Sequence, residues 1–308
     1  MAELLVIAHG KLQHGPMQKT WAGAFRNLRR IFGDRVEIRY TAASGDATRL
    51  AREALHDGMG WLVAAGGDGT IHEVANGFFR GPENIRPQAS LSFLPCGSGN
   101  DWVRTLGFSA STLDAVDRLA DSRVHLVDVG FAGFQAPDGS PSERVFLNFA
   151  EAGVGGRVVT RMSDGRFQAI GRIAYRLSAI AAALTSSRPR LRLAIDGHPP
   201  AASGPTLSLI VAGGKYFGAG MQCAPMARPD DGMLEVITLG DFGRMELLFK
   251  VRRFFSGTYL NDPKVRHRSA RTIEAASDEP VLLEMDGELV GALPVEIRVL
   301  PSALAIRY

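Results

Sequence analysis

Cysteine is scarce in this 308-residue chain: Cys96 and Cys223 are the whole complement. With no Cys-x-x-Cys pair and no cluster of histidines, neither a disulfide framework nor a zinc site is expected, and a cytoplasmic location fits. Long apolar runs are missing too. No uninterrupted stretch approaches the ~18 residues of a membrane span. The run Leu4 to Ala8, preceded by Glu3, is too short for a signal peptide. Charge of one sign is not in excess: 35 Lys and Arg face 32 Asp and Glu, for a net +3 and a pI near 9.0. That balance does not call for nucleic acid, and it tolerates an anionic substrate or a membrane face. There is no internal repeat and no low-complexity tract. What is left, 45% hydrophobic and 22% charged, is an ordinary globular composition, enough for one large or two medium domains.

The most informative stretch is Gly66-Gly67-Asp68-Gly69-Thr70. The apolar run Trp61 to Ala65 precedes it. After it Ile71, Val74, Ala75 and Phe78 recur at helical spacing until Gly81-Pro82. The five residues therefore form a tight turn from a buried strand into a helix. Three glycines let the backbone approach a ligand and permit positive φ, and the free N–H groups of the helix start favour an anion. No Gly-Lys-Ser/Thr follows, so this is no Walker loop. His72 stands at the sixth position of the dinucleotide fingerprint, where Gly is required. Asp68 among donors suited to an anion makes sense if a divalent cation or a proton in transit lies between, which suggests phosphoryl transfer. The plainer alternative is a simple turn in which Asp68 caps the helix that follows.

Along the chain, strands are predicted at Leu4 to Ala8, Val36 to Tyr40, Trp61 to Ala65 and Leu91 to Leu94, with helices between them. The alternation predicts a mostly parallel sheet covered on both faces. Ligands then sit beyond the carboxyl ends of the strands. Thr41, the first glycine loop and a second loop, Pro95-Cys96-Gly97-Ser98-Gly99-Asn100-Asp101, all fall at such ends. Beyond about Ala120 the texture changes. Val124 to Gly130 and Arg144 to Ala150 read as strands, and 153–185 as mostly helical. Short β-like runs follow at Leu191 to Ile195, Leu207 to Ala212, Leu234 to Leu239, Val281 to Met285 and Val295 to Leu300. A helix, Met245 to Phe255, interrupts them. Asp196-Gly197, Asp231-Gly232 and Asp286-Gly287 mark turns.

Taken together, Gly66-Gly67-Asp68-Gly69-Thr70-Ile71-His72-Glu73-Val74-Ala75-Asn76-Gly77 and Leu94 to Asp101 resemble the diacylglycerol-kinase catalytic domain family, which includes bacterial diacylglycerol and related lipid kinases and has sphingosine and ceramide kinases as relatives. The resemblance continues through Gly213 to Gly220, Ala224 to Leu234 and Asp286-Gly287-Glu288. It departs at His9-Gly10, where the family often has Asn-Pro, at His72 for a frequent Asn, and at Ser98 for a common Thr.

The resemblance implies an α/β protein of two domains: an NAD-kinase/phosphofructokinase-like nucleotide domain over 1–128, and a β-sandwich second domain over 129–294. A C-terminal strand, about 295–308, is expected to return to the first. It implies an ATP-dependent lipid kinase that phosphorylates the hydroxyl of diacylglycerol or a similar lipid. A kinase of a soluble substrate such as NAD, or a non-catalytic nucleotide-binding regulator, are the alternatives. ATP would be held by Thr41, Gly66, Gly67, Asp68, Gly69, Thr70, Ile71, His72 and Ser98. Glu288 would take the hydroxyl proton, with Asp68 acting through metal or proton. A Mg2+ ion would lie on the carbonyls of Arg228 and Met233 and the side chain of Asp231, a donor set suited to a hard cation. Besides ATP and lipid, peripheral membrane contact is expected, through Arg157, Arg161, Arg166, Arg172 and Arg176. Nucleic acid is not expected, and a homodimer is left open.

Overall fold

The computed structural model describes residues 3–163, 181–218 and 220–308. The first half alternates strand and helix: β1 (Leu4–Ala8), α1 (Gln18–Phe32), β2 (Val36–Tyr40), α2 (Asp46–His56), β3 (Trp61–Gly66) and α3 (Asp68–Gly77). A small ribbon, β4 (Phe79–Arg80) with β5 (Glu83–Asn84), leads to β6 (Ser90–Pro95), α4 (Asp101–Thr105) and α5 (Thr112–Ala120). Strands β2, β1, β3 and β6 lie side by side and parallel. Every residue of β1, β3 and β6 is buried, which is why they read as unbroken apolar runs. Their alternation still shows in the packing. Leu4, Val6 and Ala8 meet α1 and α5 on one face, while Leu5 and Ile7 meet α2, α3 and α4 on the other.

The second half is antiparallel. It runs β7 (Val124–Gln135), β8 (Pro141–Phe146), β9 (Phe149–Gly153), α6 (Val154–Ser163), β10 (Arg190–Ile195), β11 (Ala201–Pro205) and β12 (Ser208–Ala212). A second ribbon, β13 (Tyr216–Phe217) and β14 (Met221–Gln222), precedes β15 (Leu234–Leu239). After the helix Arg244–Ser256 come β16 (Val265–Ala270), β17 (Thr272–Ser277), β18 (Leu282–Met285) and the long β19 (Glu288–Arg307). Strands β16, β15, β12, β9 and β18 form one layer, and β7, β17 and β10 the other. Strand β19 pairs with both, and one apolar core lies between them. The end of β19, at Ala305 and Ile306, pairs in parallel with β6 of the first half. The protein is thus a mixed α/β chain with a doubly covered parallel sheet and a β-sandwich.

Three sequence expectations need correcting. Arg144 to Ala150 is not one strand: it breaks at Leu147-Asn148, and β8 and β9 go to different layers. The break is held by the Asp286 carboxylate, which accepts the N–H groups of Leu147 (2.8 Å), Asn148 (2.9 Å) and Phe149 (2.9 Å). Strands β11, β16 and β17, and the short ribbon strands β4, β5, β13 and β14, add to those that the sequence predicts. Between Val265 and Ala270, all four residues of β16 are exposed, so no apolar alternation marks it. Finally, none of Gly66, Gly67 and Gly69 adopts positive φ. Of the expected helix 153–185, α6 and 181–185 are helical; Ile170, Ile173, Ala174, Leu177 and Ile180 lie outside the described residues.

Candidate active site

The carboxyl ends of the parallel strands line up in one row. The N–H of Thr41 reaches Ala8 O (3.0 Å), that of His9 reaches Ala65 O (2.8 Å), and that of Cys96 reaches Gly66 O (2.7 Å). Thr41 Oγ1 accepts from Gly10 N at 3.1 Å, so the first turn and Thr41 form one unit. The two glycine loops touch. A Cβ added to Gly97 would lie 2.4 Å from the Cα of Gly67, and one on Gly66 would lie 2.2 Å from Thr70 Oγ1. These glycines are required by close approach rather than by backbone conformation. Gly69 differs: a Cβ there would meet nothing within 4 Å, and the residue is exposed in the first turn of α3. Ser98 is exposed at the tip of the second loop.

Asp68 joins the loops. It does not cap α3; its Oδ1 accepts from Trp102 N (3.1 Å) in the first turn of α4, and the N–H groups of Asp101 and Asn100 also face it. Burial pushes its carboxyl above the usual range, the negative Asp286 adds to this, and the N–H groups act against it.

Ile71 and His72 turn inward and are buried, so their contribution to a ligand is confined to the main chain. His72 Nδ1 pairs with Asp286 Oδ2 at 2.7 Å, both side chains being buried. His72 Nε2 meets Asn76 Nδ2 at 3.2 Å, and Asn76 bonds both backbone groups of Val145, accepting from its N–H (3.2 Å) and donating to its carbonyl (3.0 Å). Burial of Asp286 would raise its carboxyl; the His72 ring and the three N–H donors outweigh that and hold it below the usual range. The first glycine helix and the second half are thereby pinned together at the turn that carries Glu288.

That turn is a two-residue hairpin, Asp286 at φ 47° and Gly287 at φ 88°, between β18 and β19. Both positive values suit the Asp-Gly sequence. Glu288 opens β19, half-buried, and its Oε2 accepts from Arg144 Nη2 at 2.6 Å. Arg144, His72 as a linker, and Asp286 as the linker's partner carry no signal along the sequence. The pairs are 144 and 214 residues apart, which no local spacing marks.

Asp231 is exposed, and its Oδ1 accepts from Met233 N at 3.1 Å. Beneath it the buried Asp128 holds the loop: Oδ2 accepts from Gly232 N (2.6 Å), and Oδ1 from Ser302 N (2.7 Å). Among the described residues no group of three or more His, Cys, Asp or Glu side chains is placed to hold a metal. An ion on this loop would rest on one carboxylate and on carbonyls such as those of Arg228 and Met233, hard-cation ligands all.

A second acidic pair lies deeper. Glu151 in β9 and Glu284 in β18 are cross-strand neighbours, both buried. Burial pushes Glu151 up to about 7, against the Ser208 hydroxyl and the Gly155 N–H that bond it. Burial, then the charges of Glu151 and Asp286, pushes Glu284 well above the usual range. Carboxyls raised in the folded state bind protons that the unfolded chain has released. Stability from this pair is therefore present in acid and lost as pH rises from the ordinary carboxylate range through about 7. The melting temperature should fall between about pH 5 and about pH 8, and Glu284→Gln should flatten that slope. Parallel slopes for variant and parent would show that the pair is not the source.

Glu151 and Ser208 sit at the edge of an apolar cavity of about 130 Å³, walled by Leu207, Ile210, Phe217, Met221, Leu247 and Tyr259 among others. None of its lining residues comes from either glycine loop. No described helix is long and apolar enough to cross a membrane. Of the five arginines expected at a membrane, Arg157 is exposed on α6; Arg166, Arg172 and Arg176, and the side chain of Arg161, lie outside the described residues.

Residues 3–132 match the diacylglycerol kinase catalytic domain, and residues 148–308 match the YegS C-terminal NAD kinase beta sandwich-like domain. A relative from Pseudomonas aeruginosa strain UCBPP-PA14, named "Probable lipid kinase YegS-like", is 30% identical over 99% of this chain and 93% of its own. Another of that name, from Stenotrophomonas maltophilia strain K279a, is 29% identical over 88% of this chain and 85% of its own. A crystal structure from Bacillus anthracis strain Sterne, described as a "putative diacylglycerol kinase", superposes with a TM-score of 0.78 at 25% identity, covering 99% of this chain and 97% of that one. A family of kinases implies ATP use and usually a divalent cation. The loops, the sandwich and these matches lead to one conclusion: the chain belongs to the diacylglycerol kinase catalytic domain family, among relatives named as YegS-like lipid kinases.

Proposed function

We propose that the protein transfers the γ-phosphoryl group of ATP to the hydroxyl of diacylglycerol or a similar lipid. The observation that carries this reading is the contact of the two glycine loops, with Asp68 spanning them and the Asp286 turn locked against α3. Phosphoryl transfer needs positioning and charge neutralisation more than covalent help. In this reading the first turn of α3, open at Gly69 with the buried Thr70 behind it, receives the phosphates, with Thr41 and Ser98 bordering the nucleotide. Magnesium, when bound with ATP, neutralises phosphate charge. Asp68 faces that charge, and Glu288 takes the proton of the attacking hydroxyl. Arg144 holds one oxygen of Glu288 and fixes its direction. Arg228, Asp231 and Met233 would hold a structural Mg2+ on the loop fastened by Asp128. The apolar cavity supports a substrate with hydrocarbon tails.

The test is transfer of labelled phosphate from ATP with Mg2+, offered diacylglycerol, other hydroxyl lipids in mixed micelles, and NAD. Label is expected in the lipid extract, with diacylglycerol or a close analogue as the best acceptor. Label on NAD alone, or nucleotide binding with no transfer to any acceptor, would overturn the reading.

A further inference from the structure

The helix Arg244–Ser256 is apolar on two faces, and one of them is uncovered. Inward, Leu247, Phe254 and Phe255 line the cavity. Outward, Met245, Leu248 and Phe249 are 62%, 41% and 80% exposed. A helix packed on a globular core ordinarily shows solvent a polar face. At about 100° per residue, Met245, Leu248, Phe249 and Arg252 form one outer stripe, with Arg244 and Arg253 at its two edges. All three arginines are exposed, and among the described residues none makes an ion pair. Glu246, the helix's one acid, is bonded to Lys250 and Lys264 at 2.6 Å each. The outer face is therefore hydrophobic and basic, with no free acid to oppose an anionic partner.

We propose that this face docks on the surface of an anionic bilayer. Met245, Leu248 and Phe249 enter the headgroup–acyl boundary, and Arg244, Arg252 and Arg253 meet lipid phosphates. Interfacial helices combine these two features. A second copy of the chain fits less well, because an isologous contact would bring like arginines together. The inference rests on the lipid-substrate reading, which supplies a reason for the same helix to wall the apolar cavity.

The experiment uses the full chain without nucleotide or substrate lipid, so that it is independent of turnover. Vesicles of phosphatidylcholine, with and without phosphatidylglycerol, are pelleted with the protein at low and high salt. The parent is expected to pellet with anionic vesicles at low salt. Leu248→Ser combined with Phe249→Ser, and separately Arg252→Glu combined with Arg253→Glu, should each lower the bound fraction by roughly tenfold. Their melting temperatures and their activity on dispersed short-chain diacylglycerol should stay at parental values. Because Trp21, Trp61 and Trp102 are buried, Phe249→Trp reports on the face directly, and its emission should shift to the blue only with anionic vesicles. Pelleting with unchanged emission would place docking elsewhere. A parent that never pellets, or a dimer on gel filtration that the double Ser variant abolishes, would overturn the proposal. The transfer assay fails or succeeds independently of all of these.

Discussion

Glu288→Gln should lower turnover by roughly 10²–10⁴-fold, the span of general-base help, while ATP affinity and folding stay close to the parent. Stability is spared because Glu288 and Arg144 are both only partly buried, at 31% and 23% side-chain exposure, so neither is left as a fully desolvated charge. The glutamine oxygen can still accept from Arg144, so the guanidinium keeps a partner. Position is spared because it is set by the hairpin rather than by Glu288 itself. Asp286 is bonded to three backbone N–H groups and to His72, and Met285 faces Glu288 across the turn. What the substitution removes is basicity. The check is initial rate against both ATP and lipid: kcat should fall with KM for ATP unchanged. Turnover above about a tenth of the parent would remove Glu288 as the proton acceptor.

The sequence discloses the first half of the fold because its parallel strands are buried on both faces and its helices carry one apolar stripe each. Leu4 to Ala8 and Trp61 to Ala65 read as strands for that reason. The second half is less legible. In β16, Arg266, His267, Arg268 and Ser269 all face solvent, so the strand is specified by pairing with β15 and not by its own pattern. The glycine loops are legible as a motif, but their physics is not. Positive φ is the usual reason for glycine in a turn, whereas here Gly66 and Gly97 are set by crowding against Thr70 and Gly67. The His72–Asp286 and Arg144–Glu288 pairs are invisible along the chain. Each joins residues far apart in the chain, and a single sequence holds no record of which distant charges meet.

Asp68→Asn should separate structure from chemistry at the junction of the loops. The carboxylate has a structural task, accepting the Trp102 N–H at the start of α4. Asparagine keeps an oxygen for it; alanine does not, and losing such a cap costs about 1 kcal/mol. The ionised form also works against folding. Burial and Asp286 raise the Asp68 carboxyl, so its charge destabilises the folded state increasingly as pH rises through its folded value. The asparagine side chain carries no such charge, so Asp68→Asn should melt no lower than the parent near neutral pH, while Asp68→Ala melts lower. Turnover should nevertheless fall in both by roughly 10²-fold or more, because neither can neutralise a cation or pass a proton. Magnesium titration then distinguishes the two chemistries. If Asp68 acts through the metal, raising Mg2+ should restore part of the Asp68→Asn rate. If it acts through a proton, the rate should be independent of Mg2+ above saturation. An asparagine variant that melts as low as Asp68→Ala yet keeps most of its turnover would reduce Asp68 to a cap between two loops.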